Sequence, residues 1–215
     1  MYDLAGKYIF CFHNDPKINA EASTLLVELE TYVNGAIIQT HRLNRTRKTI
    51  DYRVRALVNS NGPIGRIKKD FSSTRLHCDY HFYFICIGQI HKLLETMGEV
   101  LGDPDIKNVL ARFDREFPVE IRDHLEHIHE RARGKKYNKD IGHIADFGNF
   151  VGDGFTFAGK SYTVDAKSIT DLKSIYSELI NVITTNYASK EPNFMWREQS
   201  DKCYAKLRKN MKRKA

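Results

Sequence analysis

The sequence lacks the features of membrane and secreted proteins. No run of about eighteen uncharged apolar residues occurs, so no membrane-spanning helix is expected. The apolar patch Tyr8–Phe12 is too short for a signal peptide, and it lacks a basic start and a small-residue cleavage site. We therefore expect a cytoplasmic protein with no membrane partner.

Cysteine is scarce, and none of the four cysteines forms a C-x-x-C pair. They are Cys11, Cys78, Cys86 and Cys203. Most have apolar or aromatic neighbours, so we expect buried, reduced thiols. His77, Cys78 and His81 are metal-ligating residue types, but they open an aromatic helix and no second ligand pair has matching spacing. We expect no metal site and no cofactor.

The remaining composition is that of a globular domain with a basic surface. The chain has 215 residues, of which 41% are hydrophobic and 28% charged, so it can bury a core. The net charge of +7 allows an anionic partner. Many of the basic residues fall into four groups: Arg42, Arg45, Arg47, Lys48, Arg53 and Arg55; Arg66, Lys68 and Lys69; Arg131, Arg133, Lys135 and Lys136; Lys206, Arg208, Lys209, Lys212, Arg213 and Lys214.

Apolar residues recur mainly at helical spacing, which predicts a mainly all-α bundle of four to five helices. The predicted helices cover about 19–57, either unbroken or with a break near Arg45, then 77–101, 104–115, the stretch 119–135 with a C-cap at Gly134, and 166–188. Their core faces are Leu25, Leu26, Leu29, Tyr32, Val33, Ala36 and Ile37; Tyr80, Phe84, Ile87, Ile90, Leu94 and Met97; Val109, Leu110 and Phe113; Ile169, Leu172, Ile175, Leu179, Val182 and Ile183. The aromatic cluster at 80–84 is expected to pack in the core rather than stack on bases.

Residues 141–165 differ from the rest because glycine and phenylalanine are dense there. The run 155–164 has strand character with a turn at Gly159-Lys160, which predicts a small β-hairpin before the last helix. We do not assign the G-K-S triplet at 159–161 to a P-loop, because the preceding glycine, Gly154, is expected to lie one residue too near. Asp165 is the expected N-cap of the last helix. We divide the chain into a helical domain, 1–190, and a basic tail, 191–215, which either contacts RNA or aids solubility.

The stretch Val119–Lys135 has the most unusual polar face of the chain. Ile121, Leu125, Ile128 and Ala132 share one side at helical spacing. Arg122 and His127 flank the opposite side, and Asp123 lies one turn before His127, where its carboxylate can orient the imidazole. An arginine can hold a phosphate and a histidine can move a proton near pH 7, a pairing that suits phosphodiester chemistry. A solvated surface with weak ion pairs is the alternative interpretation.

The hexapeptide R-D-H-L-E-H at 122–127 resembles the R-x(4–6)-H signature of HEPN domains, in which a polar residue follows the arginine. The resemblance covers about fifteen residues. Related bacterial proteins often carry R-N-H-x-E-H-x-D-E-R, so Asp123 replaces an asparagine and His129 an acidic residue. The resemblance implies a helical bundle that dimerises through this helix. It also implies metal-independent RNA cleavage by the neighbouring 2′-hydroxyl, often in a toxin or a phage-defence effector.

In the HEPN interpretation Arg122 holds the scissile phosphate, His127 is the general base or acid, and Asp123 orients His127. Glu126 and His124 tune the site or bridge to the partner subunit. The expected partners are a second copy of the chain, RNA, and an antitoxin or defence protein. The residues expected to bind RNA are Arg131, Arg133, Lys135 and Lys136. The alternative is a catalytically inactive HEPN-like module that binds RNA, nucleotides or proteins.

Overall fold

The computed structural model describes residues 12–59, 72–117, 135–136, 139–140, 149–151, 154–157 and 160–187. Within these ranges the chain is mainly helical, which confirms the predicted all-α class. The helices are α1 (Pro16–Asn59), α2 (Ser72–Leu101), α3 (Pro104–Glu116) and α4 (Ala166–Tyr187). The predicted basic tail lies outside the described residues.

Helix α1 is longer than the sequence predicts. It begins at Pro16, a tolerated first position, and the Asp15 carboxylate caps it by accepting the N–H of Lys17 at 2.8 Å. Of the two alternatives at Arg45, the unbroken helix is the observed one, because α1 runs without interruption to Asn59. Its buried stripe continues past that point through polar residues, which an apolar periodicity does not detect. The stripe contains Leu29, Val33, Ala36, Thr40, Leu43 and Arg47.

Helices α1 and α2 pack closely and run antiparallel. All six residues of the predicted α2 core face are 0–2% exposed, which confirms that face. Helix α2 begins at Ser72, earlier than the predicted start near 77. A Cβ placed on Gly35 of α1 would lie 3.0 Å from Cys86 Sγ of α2, so glycine permits the close approach.

The cysteine and aromatic predictions are partly corrected by α2. Cys78 is exposed, contrary to the prediction of buried thiols, whereas Cys86 is half-buried. Burial raises the pKa of the Cys86 thiol to about 11. The aromatic cluster packs in the core as predicted, except that Phe82 is 53% exposed. Cys11 and Cys203 lie outside the described residues.

A short turn joins α2 to α3. Gly102 adopts a φ of +62°, and the Asp103 carboxylate then caps α3 by accepting the N–H of Asp105 at 2.8 Å. Pro104 occupies the first turn, as the sequence predicts. Val109 and Phe113 are buried, which places the apolar side of α3 in the core.

Two small antiparallel ribbons lie between α3 and α4. Strands β1 (Lys135–Lys136) and β2 (Lys139–Asp140) pair with each other. Strands β3 (Asn149–Val151), β4 (Gly154–Phe157) and β5 (Lys160–Thr163) form a second sheet in that order. The predicted hairpin corresponds to β4 and β5, and β3 adds a strand that the sequence did not predict. Lys135, which follows the predicted helix C-cap at Gly134, belongs to β1.

Helix α4 returns the chain to the core. Asp165 caps it as predicted, because its carboxylate accepts the Ser168 N–H at 2.9 Å. Four of the six predicted core residues are buried and two are half-buried against them. The Tyr176 hydroxyl donates to the buried Glu30 carboxylate at 3.0 Å and ties α4 to α1. No helix among the described residues combines the length and the apolarity that crossing a membrane requires.

Candidate functional site

The predicted catalytic residues Arg122, Asp123, His124, Glu126 and His127 lie outside the described residues. The same holds for Arg131 and Arg133. Lys135 and Lys136 are described as backbone only, in strand β1. The predicted Arg/His site therefore remains a prediction from the sequence.

Residues on both sides of the segment 118–159 are buried in the hydrophobic core. Before it, Phe117 is buried, stacks on Phe113 at a centroid distance of 4.8 Å, and donates its N–H to the Phe113 carbonyl at 2.9 Å. After it, Tyr162 packs edge-on against Phe84 at 5.9 Å, and Val164 is 1% exposed. The described residues before and after this segment, Phe117, Tyr162 and Val164, thus belong to one hydrophobic core.

Arg47 is a structural cation that the sequence grouped with the surface arginines. It is only 8% exposed. Its guanidinium donates to the Val164 carbonyl at 2.7 Å, to Asn44 Oδ1 at 3.1 Å and to the Tyr80 hydroxyl. It also lies 5.3 Å from the Tyr80 ring centroid, a cation–π distance. The signal in the sequence was its place on the buried stripe of α1, four residues after Leu43.

Arg42, from the same basic group of α1, also contacts a residue of the helical bundle. Its Nε lies 2.9 Å from Asp79 Oδ1, and the Asp79 side chain is 1% exposed. Neither Asp79 oxygen has a well-aligned hydrogen bond within the described part of the chain. Arg42 itself is 58% exposed, so the pair has one buried and one solvated end.

The other basic side chains on the outer side of α1 have no such role among the described residues. His41, Arg45, Lys48 and Arg55 are exposed, and Tyr52 between them is 75% exposed. Their spacings of four, three, four and three residues place all five on one side of the helix. We call these five residues the α1 basic face. Among the described residues, its cations form no ion pair.

Asp103 is a structural carboxylate rather than a catalytic one. It accepts the Tyr187 hydroxyl at 2.7 Å and the Asn186 amide at 3.1 Å, which joins the start of α3 to the end of α4. Burial opposes ionisation of Asp103, but hydrogen bonds from Tyr187, Asn186 and backbone N–H groups outweigh it and lower the pKa of its carboxyl group. Burial, followed by the bond to Asp103, raises the pKa of Tyr187.

The spacing argument against a P-loop at the G-K-S triplet is wrong. Gly154 and Gly159 enclose four residues before Lys160 and Ser161, which satisfies the pattern. The secondary structure excludes it. In a P-loop the lysine opens a helix, whereas Lys160 lies in β5 opposite Phe157, and the next helix begins at Ala166.

Metal ligands do not cluster in the described residues: no three His, Cys, Asp or Glu side chains there are placed to hold an ion. This holds for His77, Cys78 and His81 as well. No known protein family, no curated protein and no solved structure matches the chain. Function therefore has to be argued from the chain itself.

Proposed function

We propose that the protein is a metal-independent endoribonuclease of HEPN type that acts as a homodimer. The observation that carries the proposal is the hexapeptide Arg122–His127, in which an arginine, an aspartate and a histidine lie at helical spacing. The helical fold of the described residues and the basic surface of α1 support it, because a helical bundle is the expected scaffold and RNA is a polyanion.

The proposed reaction needs no cofactor. The 2′-hydroxyl oxygen attacks the neighbouring phosphorus, the bond from phosphorus to the 5′-oxygen breaks, and a 2′,3′-cyclic phosphate and a 5′-hydroxyl result. His127 takes the proton from the 2′-hydroxyl or gives one to the departing 5′-oxygen. Arg122 binds the phosphate and stabilises the negative charge that grows in the transition state. Asp123 fixes the orientation of the His127 ring.

The remaining predicted residues have supporting roles. Glu126 and His124 tune the site or contact the partner subunit. Arg131, Arg133, Lys135 and Lys136 hold the RNA backbone. In a dimer, two copies of the Val119–Lys135 stretch would face each other, so each site would contain groups from both subunits. A toxin or phage-defence role, with an antitoxin or another protein as partner, is the biological setting that the resemblance implies.

The experiment is incubation of the purified protein with a mixed RNA pool in EDTA, with cleavage ends analysed for cyclic phosphate. We expect wild-type protein to cleave, and Arg122→Ala and His127→Ala to lose cleavage while keeping the fold. Arg115→Ala is the matched control, because Arg115 is exposed in the last turn of α3. Circular dichroism and thermal melting check the fold, and light scattering measures the dimer.

Two results would overturn the proposal. Cleavage by His127→Ala at the wild-type rate would place the activity elsewhere or in a contaminant. Unfolding of both variants would make Arg122 and His127 structural residues.

The second candidate is a catalytically inactive RNA-binding module. The α1 basic face favours it, because that surface contains none of the predicted catalytic residues. RNA binding without cleavage, at high protein concentration and with several RNA pools, would support this candidate over the enzyme.

A further inference from the structure

The C-terminal half of α1 carries more positive charge than the described residues neutralise. Between positions 41 and 59 there are six arginines and lysines and a single carboxylate, Asp51. Arg42 and Arg47 contact residues of the bundle, as described above. Arg45, Lys48 and Arg55 form no ion pair with any described residue. These three cations of α1 therefore have no neutralising partner within the described part of the chain.

The α1 basic face also has the dimensions of a strand-binding surface. At about 1.5 Å of rise per residue, the distance from His41 to Arg55 is about 20 Å. Over this distance Arg45, Lys48 and Arg55 place a cation at nearly every turn of the helix. Surface ion pairs contribute little to stability, so their absence costs the fold little, and the cations stay available to phosphates.

Tyr52 adds a second observation, which concerns bases rather than phosphates. At 75% exposure it differs from Tyr80, Tyr83, Tyr162 and Tyr176, which are all buried. Lys48 precedes it by four residues and Arg55 follows it by three, so a cation lies one turn away on each side. An exposed ring between cations suits an unpaired base whose flanking phosphates contact the basic side chains.

The position of this helix relative to the predicted catalytic segment is a third observation. The bond from Arg47 to the Val164 carbonyl places the C-terminal half of α1 beside the point where the chain returns from segment 118–159. RNA bound along α1 would thus run next to the part of the molecule where that segment rejoins the core.

We infer that the α1 basic face is a docking surface for single-stranded RNA. Arg45, Lys48 and Arg55 contact the phosphates, His41 extends the surface, and Tyr52 stacks on a base. The inference rests on the proposed function for the choice of RNA as the partner, but it does not require catalysis. An anionic membrane fits less well, because a membrane-surface helix buries an apolar face, whereas the apolar face of α1 already packs in the core.

The test measures binding separately from cleavage. The full-length protein is titrated against a fluorescent single-stranded RNA that carries 2′-O-methyl groups, which blocks attack by the 2′-hydroxyl but keeps the phosphates and bases. Anisotropy is recorded over a range of salt concentrations. The test variant is R45Q/K48Q/R55Q, and the control is K92Q/R115Q/K173Q, which removes the same charge from exposed positions on α2, α3 and α4.

We expect wild-type protein to bind the RNA, and the dissociation constant of the control variant to lie within about twofold of the wild-type value. The test variant should bind at least about tenfold more weakly, and the slope of log K against log salt should become less steep by about 2, since each lost contact to a single strand contributes roughly 0.7. Tyr52→Ala should weaken binding about tenfold with the slope unchanged. Tyr52→Phe keeps the ring and should restore binding.

Equal losses in the test and control variants would overturn the inference, because net charge would then explain binding. So would the absence of wild-type binding, or tighter binding to anionic vesicles than to RNA. Cleavage of unmodified RNA is assayed in parallel. Normal RNA binding without cleavage contradicts only the enzyme, whereas cleavage with unchanged binding by R45Q/K48Q/R55Q contradicts only the docking surface.

Discussion

Arg47 of α1 and Tyr80 of α2 contact each other in two ways. The guanidinium donates a hydrogen bond to the tyrosine hydroxyl, and its carbon lies 5.3 Å from the ring centroid. Both residues are buried, and the same guanidinium holds the Val164 carbonyl at 2.7 Å. One side chain therefore joins α1, α2 and the residue that precedes α4.

Replacement of Arg47 tests this relationship. We expect Arg47→Ala to lower the free energy of unfolding by about 2–4 kcal/mol, because it leaves buried polar groups without their hydrogen bonds. Arg47→Lys should recover little, since an ammonium cannot reproduce the planar fork. Arg45→Ala, on the exposed side of α1, is the control and should change it by less than about 0.5 kcal/mol. Urea unfolding measures all three, and equal effects at positions 45 and 47 would contradict the structural role.

We expect the effects of replacing Arg42 and Asp79 on the free energy of unfolding to be strongly coupled. We expect Arg42→Ala to cost about 1–3 kcal/mol, because the buried Asp79 carboxylate loses its nearby cation. In an Asp79→Asn background the same change should cost less than about 0.5 kcal/mol, since no buried charge remains. A double-mutant cycle by urea unfolding measures the coupling. Additive effects would mean that the ion pair contributes nothing to stability.

The bond from Tyr187 to Asp103 predicts a pH dependence. The folded pKa of Asp103 is lowered, so its contribution is present above the unfolded pKa of about 3.9 and is lost as the pH falls through the folded pKa. Tyr187→Phe removes a donor to this carboxylate and should cost about 1–2 kcal/mol at pH 7. The difference from wild type should shrink below about pH 4. Unfolding curves at several pH values check it, and a cost independent of pH would contradict the assignment.

The close contact between Gly35 and Cys86 predicts a dependence on the partner side chain. Alanine in a helix interior is favoured over glycine by about 1 kcal/mol, but a Cβ at position 35 would crowd Cys86 Sγ at 3.0 Å. We expect Gly35→Ala to stabilise the protein only in a Cys86→Ala background, with a difference of about 1 kcal/mol or more between the two backgrounds. Thermal and urea unfolding measure it. The same gain in both backgrounds would show that the contact relaxes without cost.

The sequence and the structure agree most closely on which segments are helical and on the residues that these helices bury. The core faces of α2 and α3 and the cap at Asp165 were predicted because their determinants lie within a turn or two of each other. The starts of α1 and α2 were predicted less well, since polar residues there continue a helix that the apolar pattern does not mark. The Arg122–His127 site is a prediction from sequence alone.

By itself, the sequence determined the mainly helical class and which apolar residues form the core, because hydrophobic periodicity and capping are local. It did not determine the roles of the six cations between Arg42 and Arg55, which composition treats alike. Tertiary structure decided those roles. The partners of Arg47 lie 33 and 117 residues away in the chain, so only the packing of α1 against α2 and Val164 makes Arg47 a structural residue and leaves Arg45, Lys48 and Arg55 facing solvent.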